Sequence, residues 1–287
     1  MSASPLFAAG QTLAEALSAH IGQILIVDIG AAEYDGGRAP PYAPLLQAPV
    51  ARVLGFEPHA EARAATGQGE RHLILPHAIG DGGTHEFRSC AAPMTSSLLE
   101  PNIPWLERFE NLADLCRVVG REPMPTVRLD DVPEAHGADF IKIDVQSATL
   151  LVLGGAEAVL QDTLLVHTEV EFGPIYQDAP RFGDVDRFLS SHGFEFHHFL
   201  DFGARRTLSG TAAFGRAATR QLWADAIFVP SFARLDSLAP AALLRLAAIA
   251  HDCYGIEDLA HACLTRADAL SGSAFASAYR IAAGSAA

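Results

Sequence analysis

The sequence ILIVDIGAAEYDGG (residues 24–37) decides the fold, because an apolar run ends there in an acid and a glycine. A nearly continuous apolar run is typical of a strand that is buried on both faces, as in a parallel sheet. A dinucleotide-binding turn after such a strand has the pattern GxGxxG, which lets the backbone approach a pyrophosphate. Here Gly30 is followed by two alanines and a glutamate, so the second and third glycines are missing. The turn therefore disfavours a diphosphate ligand.

The same turn carries three carboxylates, Asp28 before it and Glu33 and Asp35 within it. At about 4 Å and an effective dielectric constant of about 20, each would oppose a pyrophosphate by on the order of 4 kcal/mol before screening. A cationic ligand without phosphate reverses this sign, and S-adenosylmethionine (SAM) carries a sulfonium and an α-ammonium group. Taken alone, the turn leaves three interpretations open: SAM, a nucleotide, or acids that merely solvate a surface turn.

Apolar runs recur along the chain and alternate with helical patterns and glycine turns. Five runs predict strands of one sheet: residues 23–29, 52–58, 72–79, 138–145 and 164–172. Residues 194–200 and 221–229 predict a terminal strand pair. This alternation predicts an α/β fold with an open, mostly parallel sheet.

The chain after about residue 235 contains no strand pattern and predicts two or three packed helices. We therefore expect a catalytic domain at residues 1–232 and a C-terminal helical appendage at 233–287. The appendage has no catalytic pattern, and its expected roles are the formation of a homodimer or of a lid.

Two further predicted strands end in acids. Glu57 ends the second strand, where a carboxylate can accept both hydroxyls of a ribose. Gly80 and Asp81 end the third strand, where an acid can meet an adenine amino group. Because ligands of open α/β sheets bind at the carboxyl ends of the strands, acids at three such ends indicate an adenosine-containing ligand. Glu57 would suit NAD and SAM equally, so only the acid-rich turn favours SAM.

Composition excludes several classes of partner. The chain has 34 acidic and 20 basic residues and a formal charge of −14, which disfavours binding to nucleic acids and to anionic membranes.

The first basic residue is Arg38, so the charged region of a signal peptide is missing, and no apolar run has the length of a membrane span. The four cysteines form no CxxC pair, which indicates neither a zinc site nor a disulfide framework. We expect a cytoplasmic protein.

Several segments together resemble the FkbM-type family of class I SAM-dependent methyltransferases. They are VDIGAAEYDGG, GFEPHAEA, HAIGDGG, MTSSLLEP, VRLDDV, DFIKIDVQSATLLVLGGAEAVL and VHTEVEF, in this order within residues 23–200. The block around KIDVQSATLL is the most specific, whereas the acid-glycine turn would fit any class I methyltransferase. The resemblance implies a Rossmann-like sheet with an antiparallel last strand, SAM as the donor, and O-methylation of a sugar, glycan or natural-product hydroxyl.

Site residues follow from the resemblance position by position. Asp28 and Gly30 would line the methionine and ribose side of SAM, and Glu57 would hold the ribose diol. Asp81 would lie near the adenine, and Asp144 would lie at the reacting end of the cofactor.

The chain departs from the family block, which commonly reads KIDV(E/Q)GAE. Gln146 is a familiar variant, but Ser147 stands where glycine is usual and Thr149 where glutamate is usual. The missing glutamate removes a carboxylate beside the presumed substrate pocket. A non-catalytic SAM-binding or scaffold protein is therefore one alternative. An NAD(P)-dependent oxidoreductase is another, which the missing glycines oppose.

Methyl transfer to a hydroxyl requires removal of a proton. Asp144 is the first candidate for the base or for an orienting group, and a helix cap is its structural alternative. Glu171 is the last of a row of charged residues on the fifth strand and is placed to reach the pocket. Lys142 is expected to pair with a nearby carboxylate. Chelation of a divalent cation by Asp144, Glu169 and Glu171 is an alternative, and we expect no metal.

Three polar residues are candidates for acceptor contacts. Gln146 follows the fourth strand, and Ser96 and Ser97 lie in the loop after an extra strand. A turn or a helix cap would explain the two serines equally well. The proline-rich segment 39–46 is expected either to close over the cofactor, with Tyr42 packing on it, or to begin a helix.

Overall fold

The computed structural model describes residues 10–31, 39–66, 69–209, 212–213, 215 and 217–284. The strands are β1 (Ile24–Ile29), β2 (Ala51–Phe56), β3 (His72–Leu75), β4 (Ala78–Ile79), β5 (Thr84–Cys90), β6 (Val118–Val127), β7 (Phe140–Ile143), β8 (Leu165–Glu171), β9 (Phe194–Arg205), β10 (Leu208–Ser209), β11 (Ala212–Ala213) and β12 (Arg220–Pro230). The α-helices are α1 (Leu13–Ala16), α2 (Ser18–Ile21), α3 (Ala60–Thr66), α4 (Ile103–Leu106), α5 (Leu112–Leu115), α6 (Thr149–Gly154), α7 (Phe182–Ser191), α8 (Phe232–Ser237), α9 (Pro240–Tyr254), α10 (Glu257–Ser271) and α11 (Phe275–Gly284).

The main sheet has seven strands in the order β3-β2-β1-β7-β8-β12-β9. Five neighbouring strands of this sheet run parallel: β3, β2, β1, β7 and β8. Strand β12 runs antiparallel to both of its neighbours, β8 and β9. This arrangement confirms the predicted α/β class and the mostly parallel sheet. The strand order reverses between β1 and β7, and open sheets bind ligands beyond the carboxyl ends of the strands at such a point.

The predicted third strand, residues 72–79, is wrong as a single element. Only β3 joins the main sheet, whereas β4 pairs with β6 in a smaller sheet of order β4-β6-β5. Pro76 lies between the two segments and has no N–H to donate to a ladder. Gly80 and Asp81 therefore follow a strand of the smaller sheet.

Both faces of the main sheet are covered by apolar side chains. On one face, Ile26 and Phe140 share a core with residues of α1, α9 and α10, so the predicted C-terminal helices form and pack against the sheet. Asp252 of α9 also accepts the backbone N–H groups of Leu13 and Ala14 at 2.8 and 2.9 Å. The domain boundary at residue 232 stays a prediction.

The other face of the sheet packs against α6 and α7. Among the helices of the described ranges, none combines the length and the apolar character needed to cross a bilayer.

Candidate active site

Gly30 directly follows β1 and has a φ of 81°, in the left-handed region. A Cβ at this position would lie 2.0 Å from the carbonyl oxygen of Asp144, so only glycine fits between the ends of β1 and β7. The N–H groups of Gly30 and Ala31 donate to the carbonyl of Phe56 at 3.1 and 3.2 Å. These contacts fix the start of the turn against β2 and β7. Glu33 and Asp35 lie outside the described residues, and their effect on a ligand stays a prediction.

Asp28 is buried and is bound by two side chains. The Tyr42 hydroxyl donates to its Oδ2 at 2.7 Å, and Lys142 Nζ donates to its Oδ1 at 3.2 Å. Burial opposes the charge of Lys142, but the Asp28 and Asp144 carboxylates outweigh it and raise the pKa of this lysine. Lys142 is thus the expected partner of a carboxylate. Tyr42 lies at the start of a short 3-10 helix and in the apolar core, so segment 39–46 begins a helix.

Glu57 follows β2 and is 4% exposed. Its Oε1 accepts the N–H of His59 at 2.8 Å, and Arg63 donates to its backbone carbonyl at 2.8 Å. Burial raises the pKa of Glu57, while the His59 N–H acts in the opposite direction. The structure therefore holds this carboxylate rigidly at the carboxyl end of β2, beside the end of β1.

Gly80 and Asp81 lie in the turn between β4 and β5. A Cβ at Gly80 would lie 2.9 Å from the Thr126 side chain, so the backbone packs closely there. The Asp81 carboxylate accepts the N–H of Gly83 at 2.8 Å and contacts His85 Nε2 at 2.8 Å. The hydrogen bond with His85 lowers the pKa of Asp81. Asp81 is thus engaged within its own turn, and its place beside an adenine stays a prediction.

The carboxyl ends of β7 and β8 bring together Asp144, Gln146, Glu169 and Glu171. Gln146 Nε2 donates to Asp144 Oδ1 at 3.1 Å and to Glu169 Oε1 at 3.3 Å. Burial, together with the Asp144 and Glu171 carboxylates, raises the pKa of Glu169 well above its usual range. Burial raises the pKa of Glu171 to about 7, against the hydrogen bond that it accepts from Ser147. The cluster therefore contains two carboxyl groups whose pKa values burial raises.

The turn between β7 and α6 contains the two departures from the family block. Gln146 and Ser147 have φ values of 48° and 69°, where a non-glycine residue costs roughly 1–2 kcal/mol. Ser147 is buried, and its Oγ donates to Glu171 Oε1. Thr149 Oγ1 lies 3.3 Å from Thr168 Oγ1 in the interior. Ser147 thus gains a contact that glycine could not make, whereas Thr149 contacts β8.

The two serines of the loop after β5 have different partners. Ser97 is buried and donates to the carbonyl of Gln146 at 2.6 Å, which ties this loop to the turn after β7. Ser96 Oγ accepts the N–H of Cys90 at 3.0 Å, at the end of β5. Ser97 therefore stabilises the backbone at Gln146. Contacts of either serine with the methyl acceptor stay predictions.

A cavity of about 340 Å³ opens beside Ser147. Apolar side chains dominate its lining, which consists of Leu99, Ser147, Ala148, Leu150, Leu151, Asp178, Ala179, Pro180 and Asp184. Within the described ranges, no group of three or more His, Cys, Asp or Glu side chains is arranged to hold a metal ion.

A family model, the methyltransferase FkbM domain, matches residues 28–196, which is more than half of the chain. The chain belongs to the FkbM methyltransferase family. This family uses SAM as the methyl donor, so the family and the cofactor expected from the sequence are confirmed. A search of curated proteins gives no significant match.

Several solved structures are similar to this FkbM methyltransferase. Magnesium protoporphyrin IX methyltransferase (ChlM) from Synechocystis PCC 6803, with bound SAM, is 10% identical over 73% of this chain and 72% of its own, with a TM-score of 0.33. A putative methyltransferase from Thermoplasma acidophilum is 7% identical over 74% of this chain and 70% of its own, with a TM-score of 0.36. Sequence identities and TM-scores this low give no basis for assigning a function to this chain.

A contact between the FkbM domain and the chain that follows it was not indicated by the sequence pattern. His167 Nδ1 lies 2.9 Å from the hydroxyl of Tyr254, and its Nε2 lies 3.4 Å from Asp225 Oδ2. Tyr254 belongs to α9, so the C-terminal helices contact the charged row of β8. No sequence signal could have found this pair, because the two residues are 87 positions apart.

The left-handed conformation of Ser147 leads to a stability prediction for the FkbM domain. We expect Ser147→Gly to be more stable than Ser147→Ala by about 1 kcal/mol, because both lose the hydroxyl but only alanine keeps the backbone strain. Urea unfolding of the two variants measures this difference. If the alanine variant is the more stable of the two, the backbone of this turn is not left-handed.

Proposed function

We propose that the protein is a SAM-dependent O-methyltransferase of the cytoplasm that acts on a hydroxyl of a sugar, glycan or natural-product small molecule. Membership of the FkbM family supports methyl transfer. The observation that favours oxygen as the acceptor atom is Glu171, whose pKa burial raises to about 7 at the carboxyl end of β8. A hydroxyl loses its proton as it attacks a methyl group, and a base with a pKa near the working pH serves that step best.

The donor is assigned to the crevice beyond the ends of β1, β2 and β7. Gly30 lets the ends of β1 and β7 come together there. The buried Asp28 is assigned to the methionine end. Glu57 is the buried carboxylate for the ribose diol, because a rigid acceptor can bind two vicinal hydroxyls. Gly80 and Asp81 are assigned to the adenine end. The residues fit SAM, since the crevice contains carboxylates and lacks the glycines of a diphosphate-binding turn.

When bound, SAM supplies the methyl group. Ionised Glu171 would accept the proton of the acceptor hydroxyl. Asp144, held by Gln146, would orient the acceptor hydroxyl toward the donor. Correct alignment alone can supply several kcal/mol of the barrier. Ser97 acts through Gln146, whose backbone it binds.

Two measurements test this function. Calorimetric titration should show binding of SAM and no binding of NADH. Incubation with methyl-labelled SAM and fractionated cell extract should yield a labelled compound that is heavier by one methylene group. Binding of SAM without any labelled product would favour the alternative of a non-catalytic SAM-binding protein, and absence of SAM binding would contradict the proposal.

The proposed ribose contact leads to a binding prediction. Glu57→Gln should weaken SAM about tenfold or more, because hydrogen bonds to a charged group contribute about 1.5–3 kcal/mol. The amide oxygen of glutamine can still accept the N–H of His59, so the loop should keep its shape. Glu61→Gln, at an exposed position of α3, is the control and should bind SAM normally. An unchanged Kd in Glu57→Gln would show that the ribose lies elsewhere.

A further inference from the structure

Two arginines face each other on the antiparallel ribbon formed by β9 and β12. Arg220 of β12 is the register partner of Arg205 of β9. Directly opposite residues share a face of the ribbon, and like charges in such a pair are destabilising. Within the described ranges neither side chain forms an ion pair, whereas the adjacent Arg206 is paired with Glu110. Because no carboxylate of the described residues neutralises Arg205 and Arg220, a bound anion would stabilise the pair.

Each of the two guanidinium groups lies over an indole ring. Arg205 Cζ is 4.9 Å from the ring centroid of Trp223. Arg220 Cζ is 5.9 Å from that of Trp105 and 5.5 Å from that of Phe109. A guanidinium group over a ring keeps the N–H groups at its edge available for an oxyanion. Of the Arg205 donors, Nη1 also donates to the carbonyl of Ala204 at 3.0 Å.

Glycines make room for both indoles. A Cβ at Gly203 would lie 1.8 Å from the ring of Trp223, and a Cβ at Gly173 would lie 2.5 Å from that of Trp105. These rings belong to the two tryptophans of the chain, and each packs against the backbone of a glycine. The close fit restricts the movement of the two indoles on which the guanidinium groups lie.

The arginine pair lies at the same edge of the sheet as the proposed base. Trp223 is the register partner of Glu171, and Phe172 N–H donates to the carbonyl of Leu222 at 2.8 Å. Because β12 runs antiparallel to β8, Arg220 lies three residues beyond this pair, or roughly 10 Å at the rise of a strand. That distance is suited to a group on the acceptor remote from the reacting hydroxyl.

We propose that Arg205 and Arg220 bind an oxyanion of the methyl acceptor, so that the acceptor is a hydroxyl compound carrying a carboxylate or a phosphate. The inference rests on the proposed function, since it names the substrate class of the same site. Guanidinium groups bind both oxyanions in a bidentate manner. In a chain of net charge −14, such an acceptor would otherwise be repelled. The bound anion would also relieve the repulsion between the two arginines.

Thermal unfolding at low ionic strength tests the proposal with three probes: glucuronate, glucose 6-phosphate and neutral glucose. At least one anionic probe should raise the Tm of the unaltered protein, and glucose should not. Arg205→Gln and Arg220→Gln should each lose this response and bind the same probe about tenfold or more weakly by calorimetry. Arg52→Gln, which removes an exposed charge near the amino end of β2, is the matched control and should keep the response.

The outcomes separate this inference from the proposed function. A response to glucuronate alone identifies a carboxylate, and a response to glucose 6-phosphate alone identifies a phosphate. Absence of both responses in the unaltered protein, or equal responses in Arg52→Gln and Arg220→Gln, would overturn the inference even where SAM binds normally. Loss of the anion response with unchanged SAM affinity in Arg220→Gln supports it. Failure of every form to bind SAM, with the anion response intact, would instead count against the proposed function.

Discussion

Glu171→Gln is expected to lower the turnover of methyl transfer by about 10²–10⁴-fold, the usual contribution of a general base. Glutamine has nearly the same shape and can still accept the hydrogen bond of Ser147, so the turn after β7 should be preserved. The amide cannot take up the proton of the acceptor hydroxyl. Turnover should therefore fall while the affinity for SAM stays unchanged, which steady-state kinetics and calorimetry measure separately.

The pH dependence of turnover follows from the same group. Because burial raises the pKa of Glu171 to about 7 and only the ionised carboxylate accepts a proton, turnover should rise with pH and level off above about 7. The Gln variant should lose this rise. Glu157→Gln, which removes an exposed carboxylate near His192, is the control and should keep the full profile. Full turnover in Glu171→Gln would place the base elsewhere, and Asp144 would be the next candidate.

Stability provides a second measurement that needs no acceptor. The pKa of Glu171 is about 7 in the folded protein against an ordinary value of 4.5, so the folded state binds more protons between these pH values. The stabilising contribution is complete below about pH 4.5 and is lost as the pH rises through about 7. Glu171→Gln should remove this part of the pH dependence of the free energy of unfolding.

The fold could be predicted because its strands are continuous apolar runs separated by turn residues. The prediction of one strand at residues 72–79 is wrong for a local reason. The sequence shows that both β3 and β4 are apolar, but it does not show that they belong to different sheets. Pro76 marks the break, yet only the pairing of β4 with β6 shows that the chain changes sheets there. The C-terminal helices were predicted as an appendage, whereas their packing against the sheet depends on contacts between distant parts of the chain.

The ion pairs and pKa values of the site could not be predicted from the sequence, because they depend on contacts between distant residues. Asp28 counts as a free negative charge in the sequence, but the structure pairs it with Lys142, 114 positions away. Glu171 could be assigned to the pocket face from strand periodicity, whereas its raised pKa depends on burial by the rest of the fold. The facing of Arg205 and Arg220 also depends on irregularities in the β9–β12 register, which no sequence pattern reveals.

Gly30→Ala is expected to abolish SAM binding and to destabilise the fold by several kcal/mol, out of a typical total of about 5–15 kcal/mol. A side chain at a left-handed φ costs roughly 1–2 kcal/mol by itself. In addition, the new Cβ would lie 2.0 Å from the backbone carbonyl oxygen of Asp144, so the ends of β1 and β7 would have to separate. Those ends form the proposed donor crevice, and loss of their contact should therefore remove binding together with stability.

Gly137→Ala is the matched control for Gly30→Ala, because Gly137 has a similar φ of 75° and a Cβ there would meet nothing within 4 Å. It should show the backbone strain alone, about 1–2 kcal/mol, with normal SAM affinity. Urea unfolding and calorimetry of both variants separate strain from overlap. Equal stability of the two would mean that Gly30 does not lie against Asp144. The donor crevice would then be wider than the structure places it, and the roles assigned to Asp28 and Asp144 would lose their geometric basis.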